Sequence, residues 1–145
     1  MKAEDIAKLS KEQKIELYEA IQERKRRGKL TRSLYKPNAG QLEVHLDKST
    51  NRFVMAGNGG GKSTLAFNEA LWAAEGFNPV LKEYTPVPCR VIVVVDLPSK
   101  ITDLWIPGLR LWSHIPDEWM KKNGKPYVNE ISFSNGSTIK FLTHD

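Results

Sequence analysis

Cysteine and histidine are scarce: Cys89 stands alone, and only three histidines occur among 145 residues. A single thiol closes no internal disulfide, and His45, His114 and His144 share no metal-ligand spacing. A disulfide-stapled scaffold and a zinc module are therefore excluded, and Cys89 reads as a small residue near a strand start. Long apolar runs are missing too. Stretches such as Val91–Val95 fall far short of the ~20 residues that span a bilayer. No apolar stretch follows the basic start, as a secretory leader would require. The chain has no internal repeat or low-complexity tract, and its balance of apolar and charged residues is that of a globular domain. The expectation is an intracellular protein without membrane contact.

The net charge of +5 is unevenly distributed. Residues 1–36 carry eleven Lys and Arg against six Asp and Glu, whereas residues 37–145 balance at eleven against eleven. The densest run is Arg24-Lys25-Arg26-Arg27. Such a run suits nucleic-acid phosphates, whose counterions it would release. The favoured reading is a solvated helix end, where cations meet the negative pole of the helix dipole.

Ser10 and Gln13 form a capping-box pair that predicts a helix to about Arg27, with Leu17, Tyr18 and Ile21 as its apolar stripe and Gly28 as its stop. Residues 31–40, with Pro37, Asn38 and Gly40, read as a connector between a helical segment (1–36) and a main domain (37–145). Arg52–Ala56 is predicted as a strand, and Lys62 to about Glu75 as a helix ended by Gly76 and Pro79. A proline-containing loop follows over 77–89. Arg90–Asp96 is predicted as a second strand, apolar enough for burial on both faces. Two strands separated by a helix imply a parallel sheet with a right-handed crossover. Residues 99–122 read as short helical pieces broken at Pro107 and Pro116. Val128–Phe133 and Thr138–Thr143 flank Asn135-Gly136, a hairpin signal. The fold class is therefore α/β: a parallel sheet flanked by helices, with an N-terminal helix and a C-terminal β-hairpin.

Four of the ten glycines crowd into Ala56-Gly57-Asn58-Gly59-Gly60-Gly61-Lys62-Ser63-Thr64. This fits a relaxed phosphate-loop pattern, with Ala at the first position, and it lies between a predicted strand and a predicted helix. Gly57, Gly59, Gly60 and Gly61 let backbone N–H groups approach a phosphate without an intervening Cβ. Lys62 reaches the β- and γ-phosphates as a point charge and is the catalytic candidate. Ser63 Oγ is placed to ligate Mg²⁺, and Thr64 can donate near the α-phosphate. The helix beginning at Lys62 aims its positive end at the same anion. The pattern points to a nucleoside triphosphate, ATP foremost, with Mg²⁺.

Asp96 ends an apolar strand, as the magnesium-holding Asp of phosphate-loop enzymes does. Leu97-Pro98 follows, so no Glu stands beside it, and Asp96 reads mainly as a loop cap or sheet end. Asp117-Glu118 follows Pro116 and reads as a helix start. Trp72, Trp105, Trp112 and Trp119 could stack on bases, but core packing fits most of them better.

In order along the chain, several stretches resemble the N-terminal ATPase region of large terminase subunits, the motors that package DNA into tailed-phage capsids. Leu9–Gln13 with its Arg-rich helix is similar to the N-terminal helix of that family, and Tyr35–His45 to its P-x-x-x-Q-x-x-x-H stretch. Ala56–Thr64 resembles its glycine-rich loop, and Val94–Lys100 and Ile115–Trp119 resemble later family stretches. Asn135–Phe141 is similar to its N-G-S-x-I-x-F hairpin. The resemblance covers nearly the whole chain, although only the phosphate loop is decisive by itself. It implies a phosphate-loop NTPase fold and makes Gln41 the reader of the adenine edge.

Two departures matter. Many members carry Arg where this chain has Asn58, and that Arg is thought to act on the γ-phosphate. In the family, the magnesium-binding Asp and catalytic Glu lie on a strand after the hairpin, and a nuclease domain follows; neither is in this sequence. The resemblance therefore implies the ATP-binding front part of a terminase large subunit, binding ATP and Mg²⁺ but hydrolysing slowly alone. The implied partners are double-stranded DNA, the small terminase subunit and the procapsid portal, with a homo-oligomeric ring when complete, in the host cell cytoplasm. Two other classes are weighed beside it. One is a self-contained kinase-like enzyme using Asp96 as magnesium acid, for which only Arg90 and Arg110 remain to build a lid. The other is a non-catalytic DNA-binding module with a vestigial loop.

Overall fold

The computed structural model describes residues 10–33 and 35–144, with the stretch 23–33 as backbone only. The side chains of Arg24–Arg27 lie outside the described residues. Helix α1 (Lys11–Ser33) opens on the expected capping box: Gln13 N–H donates to Ser10 Oγ at 3.2 Å, and Ser10 N–H donates to Gln13 Oε1 at 3.0 Å. The helix does not stop at Gly28 but runs to Ser33. A helical glycine costs only about 1 kcal/mol relative to Ala, and the flanking Lys and Arg are good helix formers. The predicted stripe is not buried as a unit, since Leu17 is half-buried while Tyr18 and Ile21 are exposed.

The connector is shorter than 31–40, because α2 (Ala39–Leu46) takes up its end. Asn38 and Gln41 form a second capping box, so Gly40 lies inside the helix. Helix α3 (Lys62–Glu75) has the predicted bounds and ends at Gly76 in the left-handed region (φ 85°). Within the expected loop lies a short antiparallel pair, β1 (Phe77–Asn78) and β2 (Glu83–Tyr84). Strand β3 (Arg90–Val95) leads into α4 (Pro98–Lys100), a π-helical turn (Ile101–Trp105) and α5 (Ile106–Trp112). The helical run is not broken at Pro107. That residue lies in the first turn of α5, where the missing N–H is tolerated, and the wide π turn sits directly before it. A 3₁₀ turn (Asp117–Trp119), β4 (Met120–Lys121), β5 (Glu130–Ser132) and β6 (Thr138–Thr143) complete the order. β5 and β6 form the expected hairpin around Asn135-Gly136, whose Asn135 Nδ2 donates to Ala74 O at 2.8 Å.

The main sheet has the order β3-β6-β5-β4, with β3 and β6 parallel and the other pairs antiparallel. The chain is thus mixed α/β. The parallel pair, however, is not the one expected from the sequence. Arg52–Ala56 forms no strand and pairs with none of the described strands; Phe53 is 90% and Met55 82% exposed. Arg52 instead ties this segment to the helices, donating to Val44 O at 2.8 Å and to Glu69 Oε2 at 3.2 Å.

One sheet face carries the core. Val91, Val93, Val95, Ile139 and Phe141 pack there against Phe67, Ala70, Leu71 and Ala74 of α3 and Leu109 of α5. Gly108 brings α5 onto α3, since a Cβ there would overlap the Phe67 ring. Burial of β3 on both faces is not observed: Ile92 is 61% and Val94 68% exposed. The described helices cover only one side, so β3 alternates instead of being buried throughout.

Candidate phosphate-binding loop and its brace

The glycine loop turns directly into α3. Gly60 N–H donates to Gly57 O at 3.2 Å, and Gly61 takes the N-cap position at φ 77°. A Cβ on Gly60 would lie 3.1 Å from Ala56 Cβ and 3.2 Å from Gly57 O, so the turn is tight from inside. The first bond of the helix is Leu65 N–H to Gly61 O at 3.0 Å. The N–H groups of Lys62, Ser63 and Thr64 therefore have no partner within the helix and define an electropositive end. Lys62 and Ser63 are exposed on this first turn and Thr64 is half-buried. Lys62 Nζ folds back onto Ala56 O, across the mouth of the loop. Gly57, Asn58 and Gly59 are exposed around that mouth.

Gln41 is brought to this loop. Its side chain is buried, with Oε1 accepting from Asn38 N–H at 2.9 Å and Nε2 donating to Gly61 O at 2.9 Å. Gln41 thus closes the α2 cap and holds the first residue of the phosphate helix. Beside it opens a cleft of about 250 Å³, lined among others by Gln41, Val44, Phe53, Met55, Ala56 and Lys62.

Four residues not singled out as site residues from sequence sit behind the loop. His45, fully buried at its side chain, contacts Glu69 Oε1 through Nδ1 at 2.6 Å and Tyr35 Oη through Nε2 at 2.7 Å. With the proton on Nδ1, His45 donates to Glu69 and accepts from Tyr35, so each contact has one donor and one acceptor. Arg52 adds its guanidinium to Glu69. Burial by itself would raise the Glu69 carboxyl, but hydrogen bonds from His45 and Arg52 outweigh it and hold the group below its ordinary value. Tyr35 is pushed up to about 12, by burial first and by the Glu69 carboxylate second. Tyr35 also packs against Trp72 and edge-on to Trp112, and His45 lies 4.7 Å from the Trp72 ring. No spacing rule signals this cluster, because Arg52 and Glu69 lie outside the Tyr35–His45 stretch quoted above and come from two further parts of the chain.

The other candidates lie elsewhere. Asp96 ends β3, where Oδ1 accepts from Leu97 N–H at 3.1 Å and lies 3.8 Å from Lys100 Nζ, a local cap. Asp117 opens the 3₁₀ turn and pairs with Arg110. Trp105 packs edge-on to Phe67 and Phe141, and Trp119 packs on Phe133, so all four tryptophans are engaged in ring contacts. His114 and His144 are exposed. Among the described residues there is no cluster of His, Cys, Asp or Glu suited to a metal ion, and no helix is long and apolar enough to cross a membrane. Comparison with known proteins gives no matching family model and no significant match to a curated protein or a solved structure.

Proposed function

We propose that this chain is the ATP-binding part of a DNA-packaging motor of the large-terminase kind, gripping Mg²⁺–ATP between its glycine loop and the start of α3. The observation that carries the reading is Lys62 at the exposed N-terminus of a 14-residue helix, directly after a tight glycine turn and folded across that turn. Unpaired N–H groups, the helix dipole and an ammonium converge there, which is the chemistry a polyphosphate requires. Ser63 fits a magnesium role: its hydroxyl is exposed beside Lys62, and Mg²⁺ characteristically keeps several waters along with phosphate oxygens. Gly57–Gly61 would wrap the phosphates, Thr64 would donate at the α-phosphate side, and the cleft beside Gln41 would take the base.

The motor assignment rests on the family resemblance of the sequence. By that resemblance, double-stranded DNA would be the cargo, with the small terminase subunit and the procapsid portal as partners around an oligomeric ring. Binding is proposed to outrun hydrolysis in this chain alone, since the carboxylate of Asp96 is engaged in capping its own loop.

Calorimetric titration of Mg²⁺–ATP, with phosphate release followed in the same sample, tests the reading. Saturable binding with slow release, abolished by Lys62→Ala, is the expected result. Unchanged binding in Lys62→Ala would sink the loop assignment. Fast release by the isolated chain would favour a self-contained enzyme.

A further inference from the structure

The two ends of the phosphate loop are fastened to the same helix. At its C-terminal end, Gly61 O accepts from Gln41 Nε2 of α2. Upstream of its N-terminal end, Arg52 donates to Val44 O of α2 at 2.8 Å. Helix α2 is in turn held to α3 where His45 Nδ1 and the Arg52 guanidinium both meet the Glu69 carboxylate. Tyr35 closes the far side of His45. Gln41 and His45 lie four residues apart and hence on one face of α2, so the position of His45 sets the reach of Gln41.

We infer that the Tyr35–His45–Glu69–Arg52 cluster is a positioning brace for the phosphate loop. It holds α2 against α3 so that Gln41 orients the Gly61 carbonyl and, through it, the first turn that receives the anion. The inference rests on the nucleotide-binding reading only for its consequence in affinity; the brace itself is a property of the free protein. His45 is buried and never meets the ligand, so its role is positioning and not catalytic. Glu69 is the junction, because its carboxylate meets both Arg52 of the segment before the loop and His45 of the helix beside it.

The mechanics follow from the double load on Gly61 O, which accepts from both Gln41 Nε2 and Leu65 N–H. Withdrawing Gln41 leaves the carbonyl with the helix bond alone and frees it to tilt. The peptide that tilts is the Gly61–Lys62 unit, whose N–H belongs to the first turn. Loss of the brace therefore acts on the anion site without removing any group that touches the anion.

The experiment uses the isotope-labelled full chain, and follows the Gly61 carbonyl signal and the Lys62–Leu65 amides by NMR. Wild type is compared with Gln41→Ala, His45→Phe and Arg52→Lys. The last keeps the buried residues in place, so a His45→Phe chain that fails to fold does not end the test. All three substitutions are expected to move the Gly61 carbonyl signal in the same direction and to speed exchange of the Leu65 amide. Mg²⁺–ATP affinity should fall about tenfold in Gln41→Ala and in His45→Phe, the scale of one lost hydrogen bond. The double variant should be no weaker than the weaker single one, as expected for residues acting along one path. An unmoved Gly61 signal in Arg52→Lys or in folded His45→Phe overturns the brace, as do affinity losses that multiply in the double variant. Loop signals that respond in a chain that binds no Mg²⁺–ATP support the brace and sink the nucleotide reading.

Discussion

Gln41 Nε2 lies 2.9 Å from Gly61 O, in the space a side chain on residue 61 would need. Gly61 is also at φ 77°, where a Cβ costs about 1–2 kcal/mol. Gly61→Ala therefore meets two separate penalties, one from the backbone and one from displacing a buried, doubly bonded amide. Denaturant unfolding should show a loss of about 2–3 kcal/mol. In a Gln41→Ala background the same change should cost only the backbone share, about 1–2 kcal/mol. Equal costs in both backgrounds would mean that Gln41 does not occupy that space in solution.

Glu69 links stability to acid. Its folded-state carboxyl lies below the ordinary value of 4.5, so the native state binds fewer protons than the unfolded chain as pH falls through 4.5. The contribution is fully present above 4.5 and is lost as pH drops toward the folded value. Glu69→Gln should destabilise by about 1.5–3 kcal/mol at neutral pH, the range for hydrogen bonds to a charged group. The gap to wild type should shrink on acidification below 4.5. Unfolding curves over a pH series check this, and a gap independent of pH would contradict the ion-paired role of Glu69.

Tyr35 gives the complementary test in alkali. Its proton is held up to about 12 against an ordinary 10.0, so the folded state keeps a proton that the unfolded chain loses. Stability from this group is present below 10.0 and is lost as pH rises from there toward 12. The tyrosinate absorbance of wild type minus Tyr35→Phe should therefore rise with a midpoint near 12, provided the chain is still folded by circular dichroism. A midpoint near 10.0 would place the Tyr35 hydroxyl in water.

What was legible in the sequence was local. The Ser10/Gln13 capping box, the bounds of α3, the Gly76 stop and the Asn135-Gly136 hairpin depend on a few neighbouring residues, and each formed as read. What failed needed knowledge of distant partners. Arg52–Ala56 has strand composition, yet a strand exists only with a ladder partner, and Arg52 is instead drawn to Val44 and Glu69. The apolar run of β3 cannot say whether one face or two will be covered. For the site, the glycine turn and Lys62 were plain from spacing. The junction at Glu69 was not, because its contacts with His45 and Arg52 join residues 24 and 17 positions apart.

Close packing of α5 on α3 gives a prediction about the core. Gly108 leaves room for the Phe67 ring, which also meets Trp105 at 5.0 Å, so a Cβ there must push apart an aromatic pair. Gly108→Ala removes a helix-weakening glycine, worth about 1 kcal/mol in its favour at an open site. Overpacking costs about 1–3 kcal/mol and should win here, because the Phe67 ring is buried with no free side to move to. Net destabilisation in thermal unfolding is expected, with partial recovery in Gly108→Ala/Phe67→Leu. A more stable Gly108→Ala would show that the two helices stand further apart.

The bare side of the sheet is open to a similar test. Ile92 and Val94 project from the edge strand β3 with 61% and 68% exposure, next to Leu142 of β6. Threonine keeps their β-branched shape and strand propensity while removing apolar surface. If water meets this face, the double substitution Ile92→Thr/Val94→Thr should change the unfolding free energy by no more than about 0.5 kcal/mol per site, as surface changes do. It should also reduce concentration-dependent association, since an exposed apolar edge strand templates pairing. If the face is covered in solution, each substitution forfeits apolar burial and the loss should exceed about 2 kcal/mol in total. Dilution separates the two sources of cover: a loss that vanishes at low protein concentration assigns it to a second copy, and one that persists assigns it to the chain itself.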